Sequence, residues 1–234
     1  MHYQLTKFLL PLILLSQIFS QGNTKNMELG KLVSYPNNYE KETNKKWPLI
    51  LFLHGIGERG ENLNLVKLHG IPKIVESNND FQFITLSPQC PLEFDWRDDK
   101  IQDKVISILE DFIENNNVDK ERVYITGLSM GGYGTWAIIS KRPEIFAAAI
   151  PICGGGDHTK ARKLKNLPIW AFHGADDRVI KVEETIKMVD AINAVNGKIK
   201  FTLYPDTDHD SWSKTYNNKS IYNWLLSHSR NIKK

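Results

Sequence analysis

Val123-Tyr124-Ile125-Thr126-Gly127-Leu128-Ser129-Met130-Gly131-Gly132 begins as an apolar, β-branched run and ends in Gly-x-Ser-x-Gly. The strand-like run is followed at once by Tyr133, Trp136, Ala137 and Ile138, spaced as one face of a helix. A chain that passes from strand to helix across one serine must reverse within a few residues, which sets that serine on a tight turn above the end of a sheet. Glycine at 127 and 131 removes the Cβ atoms that would hold strand and helix apart. The pattern predicts a nucleophile elbow with Ser129 as the candidate nucleophile.

A serine hydroxyl is a weak nucleophile at neutral pH and needs a base, which in turn needs an orienting acid. His209 lies beyond the strand-like run Ile199-Lys200-Phe201-Thr202-Leu203-Tyr204, in the loop Pro205-Asp206-Thr207-Asp208-His209-Asp210-Ser211-Trp212. A loop past a strand end suits a base that must reach over the elbow. Between the two, the buried-type strand Pro168-Ile169-Trp170-Ala171-Phe172 opens into His173-Gly174-Ala175-Asp176-Asp177, which offers Asp176 and Asp177 as the acid. In this arrangement His209 takes the Ser129 proton and returns it to the leaving group, and the aspartate holds the imidazole in the right tautomer.

Acyl transfer also needs donors for the developing oxyanion. The amide of Met130 comes with the elbow. The apolar run Pro48-Leu49-Ile50-Leu51-Phe52-Leu53 fits a strand covered on both faces, and the His54-Gly55 that follows turns the backbone so that the Ile56 amide can face the elbow. His54 is read as a loop-shaping residue and His173 as packing under the acid turn.

Apolar positions Ile101, Val105, Ile108, Leu109 and Phe112 mark a helix before the elbow strand. Ile186, Val189, Ala191 and Ile192 mark another before the last strand, and Ile221, Trp224, Leu225 and Leu226 a C-terminal one. Strands alternating with such helices predict an α/β fold, a mostly parallel doubly wound sheet with helices on both faces and the site at the strand C-terminal ends. No long insertion supplies a separate lid domain.

A chain of 234 residues, 41% hydrophobic and 24% charged, can bury the core of one enzyme domain. The N-terminus reads as an address. Lys7 and Phe8-Leu9-Leu10-Pro11-Leu12-Ile13-Leu14-Leu15 form the basic and apolar parts of a secretory signal, with Ser20 as the small residue at the cleavage point. The expected organisation is a signal peptide over 1–20, a polar lead-in over 21–29 and the catalytic domain over 30–230, in a secreted or periplasmic protein. The apolar run is too short to span a bilayer, so no stable membrane insertion is expected. The net charge of +3 falls to +2 without Lys7, the only Lys, Arg, Asp or Glu before Lys25, and does not suggest a nucleic-acid partner.

Several motifs in order carry a family resemblance. They are Leu53-His54-Gly55-Ile56-Gly57-Glu58-Arg59-Gly60-Glu61-Asn62, Leu68-His69-Gly70-Ile71-Pro72, Leu86-Ser87-Pro88-Gln89-Cys90-Pro91, Gly127-Leu128-Ser129-Met130-Gly131-Gly132-Tyr133-Gly134 and His209-Asp210-Ser211-Trp212. Over roughly residues 30 to 228 the chain resembles the secreted α/β-hydrolase branch labelled predicted peptidase or esterase. That branch is related to the dienelactone-hydrolase-like, phospholipase/carboxylesterase and feruloyl-esterase groups. The family turn His-Gly-x-x-Asp-x-x-Val-Pro favours Asp177 over Asp176 as the acid. Dienelactone hydrolases proper use a cysteine nucleophile, whereas the elbow here holds Ser129. Family members often have Gly before the last-loop histidine and Pro after the acid turn; this chain has Asp208 and Ile180 there.

The resemblance implies a serine esterase cleaving acyl or feruloyl esters on carbohydrate, with a prolyl-oligopeptidase-like serine peptidase as the alternative and a non-catalytic binding module as a third reading. Trp96 is then read as an aromatic wall for a sugar or feruloyl group. In the family's strand order Cys90 and Cys153 are three strand spacings apart, roughly 14 Å, which argues against a disulfide unless converging loops close the gap. No His/Cys cluster has metal-ligand spacing in the sequence and Asp206, Asp208 and Asp210 lack the rest of a calcium loop, so neither a metal nor another cofactor is expected. The expected partner is an ester substrate, and oligomeric state is left open.

Overall fold

The alternation of apolar residues along one strand shows how the sheet is covered. In Trp47–Leu53 (β2) every residue is buried, with Leu49, Leu51 and Leu53 in one hydrophobic cluster and Ile50 and Phe52 in the other. Successive side chains of a strand point to opposite faces, so a strand apolar at every position must be covered on both. The computed structural model describes residues 28–78 and 80–230. The expected signal peptide (1–20) and all but the end of the lead-in lie outside the described residues.

The other strands are Lys31–Ser34 (β1), Ile84–Pro88 (β3), Val118–Leu128 (β4), Ala148–Ile152 (β5), Ile169–Gly174 (β6) and Ile199–Tyr204 (β7). They form a seven-stranded sheet in the order β1-β3-β2-β4-β5-β6-β7. All neighbours are parallel except β1, which runs antiparallel to β3 at the edge. Its four residues are too few for a periodic signal, and it went unread in the sequence. This is the doubly wound α/β-hydrolase arrangement that the sequence predicted.

Two layers of helix cover the sheet. Asp99–Asn115 (α2), Met130–Lys141 (α3), Ala161–Leu164 (α4) and Glu183–Ala194 (α5) pack on the Leu49, Leu51, Val123 and Ile125 face through Ile101, Val105, Leu109, Trp136, Leu164, Met188 and Ile192. Gly70–Ser77 (α1), Ser211–Asn217 (α6) and Lys219–Leu226 (α7) cover the other face through Ile71, Tyr216, Ile221 and Leu225. Burying each such large apolar side chain contributes about 1.5–3 kcal/mol. The α5 stripe is Thr185, Met188 and Ile192, one residue off the predicted Ile186 and Val189, which are half-buried.

From β2 the chain winds one way to β3 and returns across β2 to β4. The loops after β2 and β4 therefore diverge at their C-terminal ends, where open α/β sheets form clefts. Among the described residues no helix is long and apolar enough to cross a membrane.

Candidate active site

Ser129 sits between β4 and α3 with φ 54° and ψ −117°, a conformation that costs a non-glycine residue about 1–3 kcal/mol. The surroundings hold it there. A Cβ at Gly131 would lie 1.9 Å from the Leu53 carbonyl oxygen, and one at Gly127 would lie 2.3 Å from that of Gly131. Strand and helix touch through backbone, as the Gly-x-Ser-x-Gly spacing predicts. The Ser129 amide donates to the Ile152 carbonyl (3.1 Å) and to Cys153 Sγ (3.3 Å), which ties the elbow to the end of β5.

The three loops beyond β4, β6 and β7 bring Ser129, Asp177 and His209 together. His209 Nε2 is 2.9 Å from Ser129 Oγ, and Nδ1 is 2.8 Å from Asp177 Oδ2. Asp177 Oδ1 accepts the amides of Val179 and Ile180, both at 2.9 Å. Burial alone would raise the Asp177 carboxyl. The His209 hydrogen bond and the amides of Ile180 and Val179 outweigh it and hold the group below the usual carboxylate range. An ionised Asp177 assigns the Nδ1 proton to His209 and leaves Nε2 free to accept the serine hydroxyl. Asp176 is exposed and has no part in these hydrogen bonds.

His173 is fully buried, with Nε2 2.9 Å from the Ile180 carbonyl and 3.2 Å from Asp177 Oδ2, and Nδ1 2.8 Å from Thr185 Oγ1. Burial pulls its pKa below the ordinary histidine value, against the carbonyl and carboxylate that favour the cation. It does pack under the acid turn, and it also faces the Asp177 carboxylate, a relation the chain position alone did not reveal.

Met130 opens α3 and Ile56 opens the single helical turn Ile56–Glu58, so each amide lacks an intrahelical acceptor. The loop of Ile56 lies against Ser129, since a Cβ at Gly55 would fall 3.8 Å from Ser129 Cβ. His54 shapes this loop as expected. Its Nδ1 donates to the Gly55 carbonyl (2.6 Å) and its Nε2 accepts the Cys90 amide (3.0 Å). Burial lowers its pKa to about 4, so the ring is neutral.

Trp96 corrects the sequence reading. It is 0% exposed, and its Nε1 donates to the His54 carbonyl at 2.9 Å. The ring stacks edge-on to His54 and fills the space that Gly134 leaves open. An indole with a buried acceptor for its N–H and a glycine opposite its ring belongs inside. Trp96 braces the loop of Ile56 from below and cannot form a wall for a ligand.

Other aromatic and acidic groups lie beside these loops. Trp212 packs edge-on to His209 and also to His69, and His69 Nε2 is 3.6 Å from the buried Glu58. Both histidine and tryptophan lie in motifs noted in the sequence, but nothing in their spacing placed them together. Cys90 and Cys153 are buried and unpaired. A surface depression of about 540 Å³ runs along α3, bordered by Tyr133, Arg97, Gly155 and Lys160, and neither Ser129, Asp177 nor His209 lines it.

Comparison with known proteins fits this geometry. A family model described as "Dienelactone hydrolase family" matches residues 90–223. The bifunctional acetylxylan esterase/xylanase XynS20E of Neocallimastix patriciarum is 25% identical over 191 residues, which is 76% of this chain and 26% of that protein. A solved thermostable esterase is 37% identical with a TM-score of 0.77, over 87% of this chain and 60% of the other. A ferulic acid esterase structure, 18% identical with a TM-score of 0.65 over 87% of this chain and 92% of its own, shares the fold. The chain thus spans about a quarter of the length of the fungal relative and under two thirds of the thermostable esterase.

Proposed function

The chain belongs to the dienelactone hydrolase family, and from that premise we propose that it is a serine hydrolase of carboxylic esters, acting through an acyl-enzyme on Ser129. The observation that carries this reading is the unbroken hydrogen-bond chain from Ser129 Oγ through His209 to Asp177, with contacts of 2.9 and 2.8 Å. Ser129 Oγ attacks the acyl carbon as His209 Nε2 takes its proton. The oxyanion forms in front of the Ile56 and Met130 amides, and Asp177 stabilises the imidazolium. The intermediate expels the alcohol with the proton held by His209. Water then repeats the sequence and frees the acid.

The substrate we propose is an acyl or feruloyl ester on carbohydrate, supported by the acetylxylan esterase relative. Residues 1–20 serve as a secretory signal, 21–29 as a lead-in and 30–230 as the catalytic domain in this reading, which places the protein outside the cytoplasm with such a substrate.

The test is Ser129→Ala together with a fluorophosphonate probe. The variant folds, its turnover of p-nitrophenyl acetate falls by several orders of magnitude, and the probe labels Ser129 alone in the unmodified protein. Labelling that survives the substitution refutes the assignment.

A further inference from the structure

Cys153, Asp177 and His209 stand on three different loops, beyond β5, β6 and β7, and each offers a ligand atom within 4.8 Å of the other two. Among the described residues no other three His, Cys, Asp or Glu side chains meet this closely. The proposed reaction has no use for the thiol. Cys153 nevertheless adopts φ 41°, which few non-glycine residues do, and its sulfur lies at the elbow amide. A sulfur, a carboxylate oxygen and an imidazole nitrogen at one point form a donor set for Zn²⁺ or Cd²⁺. Mg²⁺ and Ca²⁺ instead want shells of oxygen.

We propose that Cys153, Asp177 and His209 form an inhibitory binding site for zinc-like divalent cations. The inhibition rests on the roles proposed above for Asp177 and His209, whereas the binding does not.

The spacing suits such an ion. Tetrahedral zinc holds sulfur at about 2.3 Å and nitrogen or oxygen at about 2.0–2.2 Å, which sets its donors roughly 3.3–3.7 Å apart. The Asp177–His209 pair, now 2.8 Å apart, opens by about half an ångström, and the sulfur closes by up to about 1.3 Å. His209 makes this adjustment, because its side chain is 20% exposed while that of Asp177 is 0% exposed. The fourth position stays open to water, as in other three-ligand zinc sites.

Without a cation the thiol is inert, since burial pushes its pKa up to about 12 against the Ser129 amide and Ser211 hydroxyl that favour the thiolate. A bound cation deprotonates a coordinating thiol outright. The cation takes the sulfur lone pair, the thiol proton leaves to solvent, and no oxidation state changes. The imidazole nitrogen that enters the shell is one the hydrolysis requires, either Nε2 as the base or Nδ1 as the donor to Asp177. Binding and catalysis therefore exclude each other.

The experiment titrates Cd²⁺ into the full chain, following the thiolate-to-cadmium ultraviolet band and fluorophosphonate labelling of Ser129 in the same samples. The band rises to saturation at one cation per chain as labelling is lost. EDTA reverses both, Zn²⁺ competes for the band, and Mg²⁺ does neither. Cys90→Ser, which leaves Cys153 as the sole thiol, keeps the band. Cys153→Ala loses it, and relative to that variant's own cation-free rate inhibition weakens about tenfold or more. If Cys153→Ala does not fold, the Cys90→Ser protein decides alone. No band, a band that disappears with Cys90, or loss of labelling without a band overturns the site. A band in a protein that neither labels nor turns over esters overturns the hydrolase reading and leaves the cation site standing.

Discussion

His173 Nε2 lies 3.2 Å from Asp177 Oδ2, the carboxylate oxygen that also faces His209 Nδ1 at 2.8 Å. The neighbours of His173 Nε2, a carbonyl and a carboxylate, are acceptors only, so that nitrogen carries a proton. One carboxylate oxygen thus takes two imidazole N–H groups, one from below and one from the last loop. His173 is in turn held by Thr185, whose Oγ1 lies 2.8 Å from His173 Nδ1 and 2.7 Å from the Gly154 carbonyl oxygen.

On this geometry His173 is a positioning residue for Asp177. A hydrogen bond to a charged group contributes about 1.5–3 kcal/mol, so His173→Phe lowers kcat by roughly 10- to 100-fold with little change in KM. His173→Gln, which keeps an N–H donor, restores most of that loss. The kcat and KM of the two variants on one p-nitrophenyl ester are the check. Equal losses in both, or a loss confined to KM, would show that the ring merely fills space.

Asp176 and Asp177 are adjacent in the chain and opposite in environment. Asp177 is buried with four donors on its carboxylate, and Asp176 is exposed. Replacing the orienting carboxylate of such a triad by an amide costs about 10⁴ in kcat through the wrong imidazole tautomer. Asp177→Asn is expected to fall by about that factor, while Asp176→Asn stays within about twofold. Comparable losses at the two positions would refute the assignment.

Much of this site was legible because its parts are local. The elbow is written in consecutive residues, since a backbone-to-backbone contact between β4 and α3 tolerates only glycine at 127 and 131. Asp177 and His209 each follow a strand end, and chain order alone lines them up with Ser129. What the sequence left unread depends on distant partners. Trp96 reads like any loop tryptophan until Gly134 and the His54 carbonyl are seen to receive it. Cys153 joins Asp177 and His209 only because β5, β6 and β7 are neighbours, so no ligand spacing along the chain announces the cluster.

The buried His54 makes stability depend on pH in a defined window. Its pKa is about 4 in the folded chain against an ordinary value of 6.5, so above 6.5 the ring is neutral in both states. Between about 6.5 and about 4 the unfolded chain binds a proton that the folded chain refuses, and stability falls with pH by up to about 1.4 kcal/mol per unit and about 3 kcal/mol in all. His54→Gln is less stable at neutral pH, because one amide cannot replace both the donor to Gly55 and the acceptor for the Cys90 amide, but its stability falls less steeply over this window. Urea unfolding of both proteins at a series of pH values measures the two slopes. Parallel slopes would mean that His54 titrates normally in the folded chain.

Ester and amide substrates separate the proposed esterase from a peptidase. Both reactions begin with attack by Ser129, but an amide is more resonance-stabilised and its amine must be protonated as it leaves. Amide cleavage therefore relies on extended binding to hold the scissile bond in place. The described residues form one sheet-based unit in which the loops at the C-terminal edge surround Ser129, with the loop of Ile56 on one side and the His209 loop with Trp212 on the other. In the proposed reading those loops bring nucleophile, base and oxyanion donors to the acyl carbon. Short acyl esters and acetylated or feruloylated sugars are expected to turn over measurably, and matched anilides or dipeptidyl amides to show a kcat/KM lower by about 10³ or more. The measurement is kcat/KM for an ester and an anilide sharing one acyl group, on the same preparation. A preference for the anilide would make the peptidase reading the correct one, because a site that lacked extended contacts could not reverse the intrinsic order of the two leaving groups.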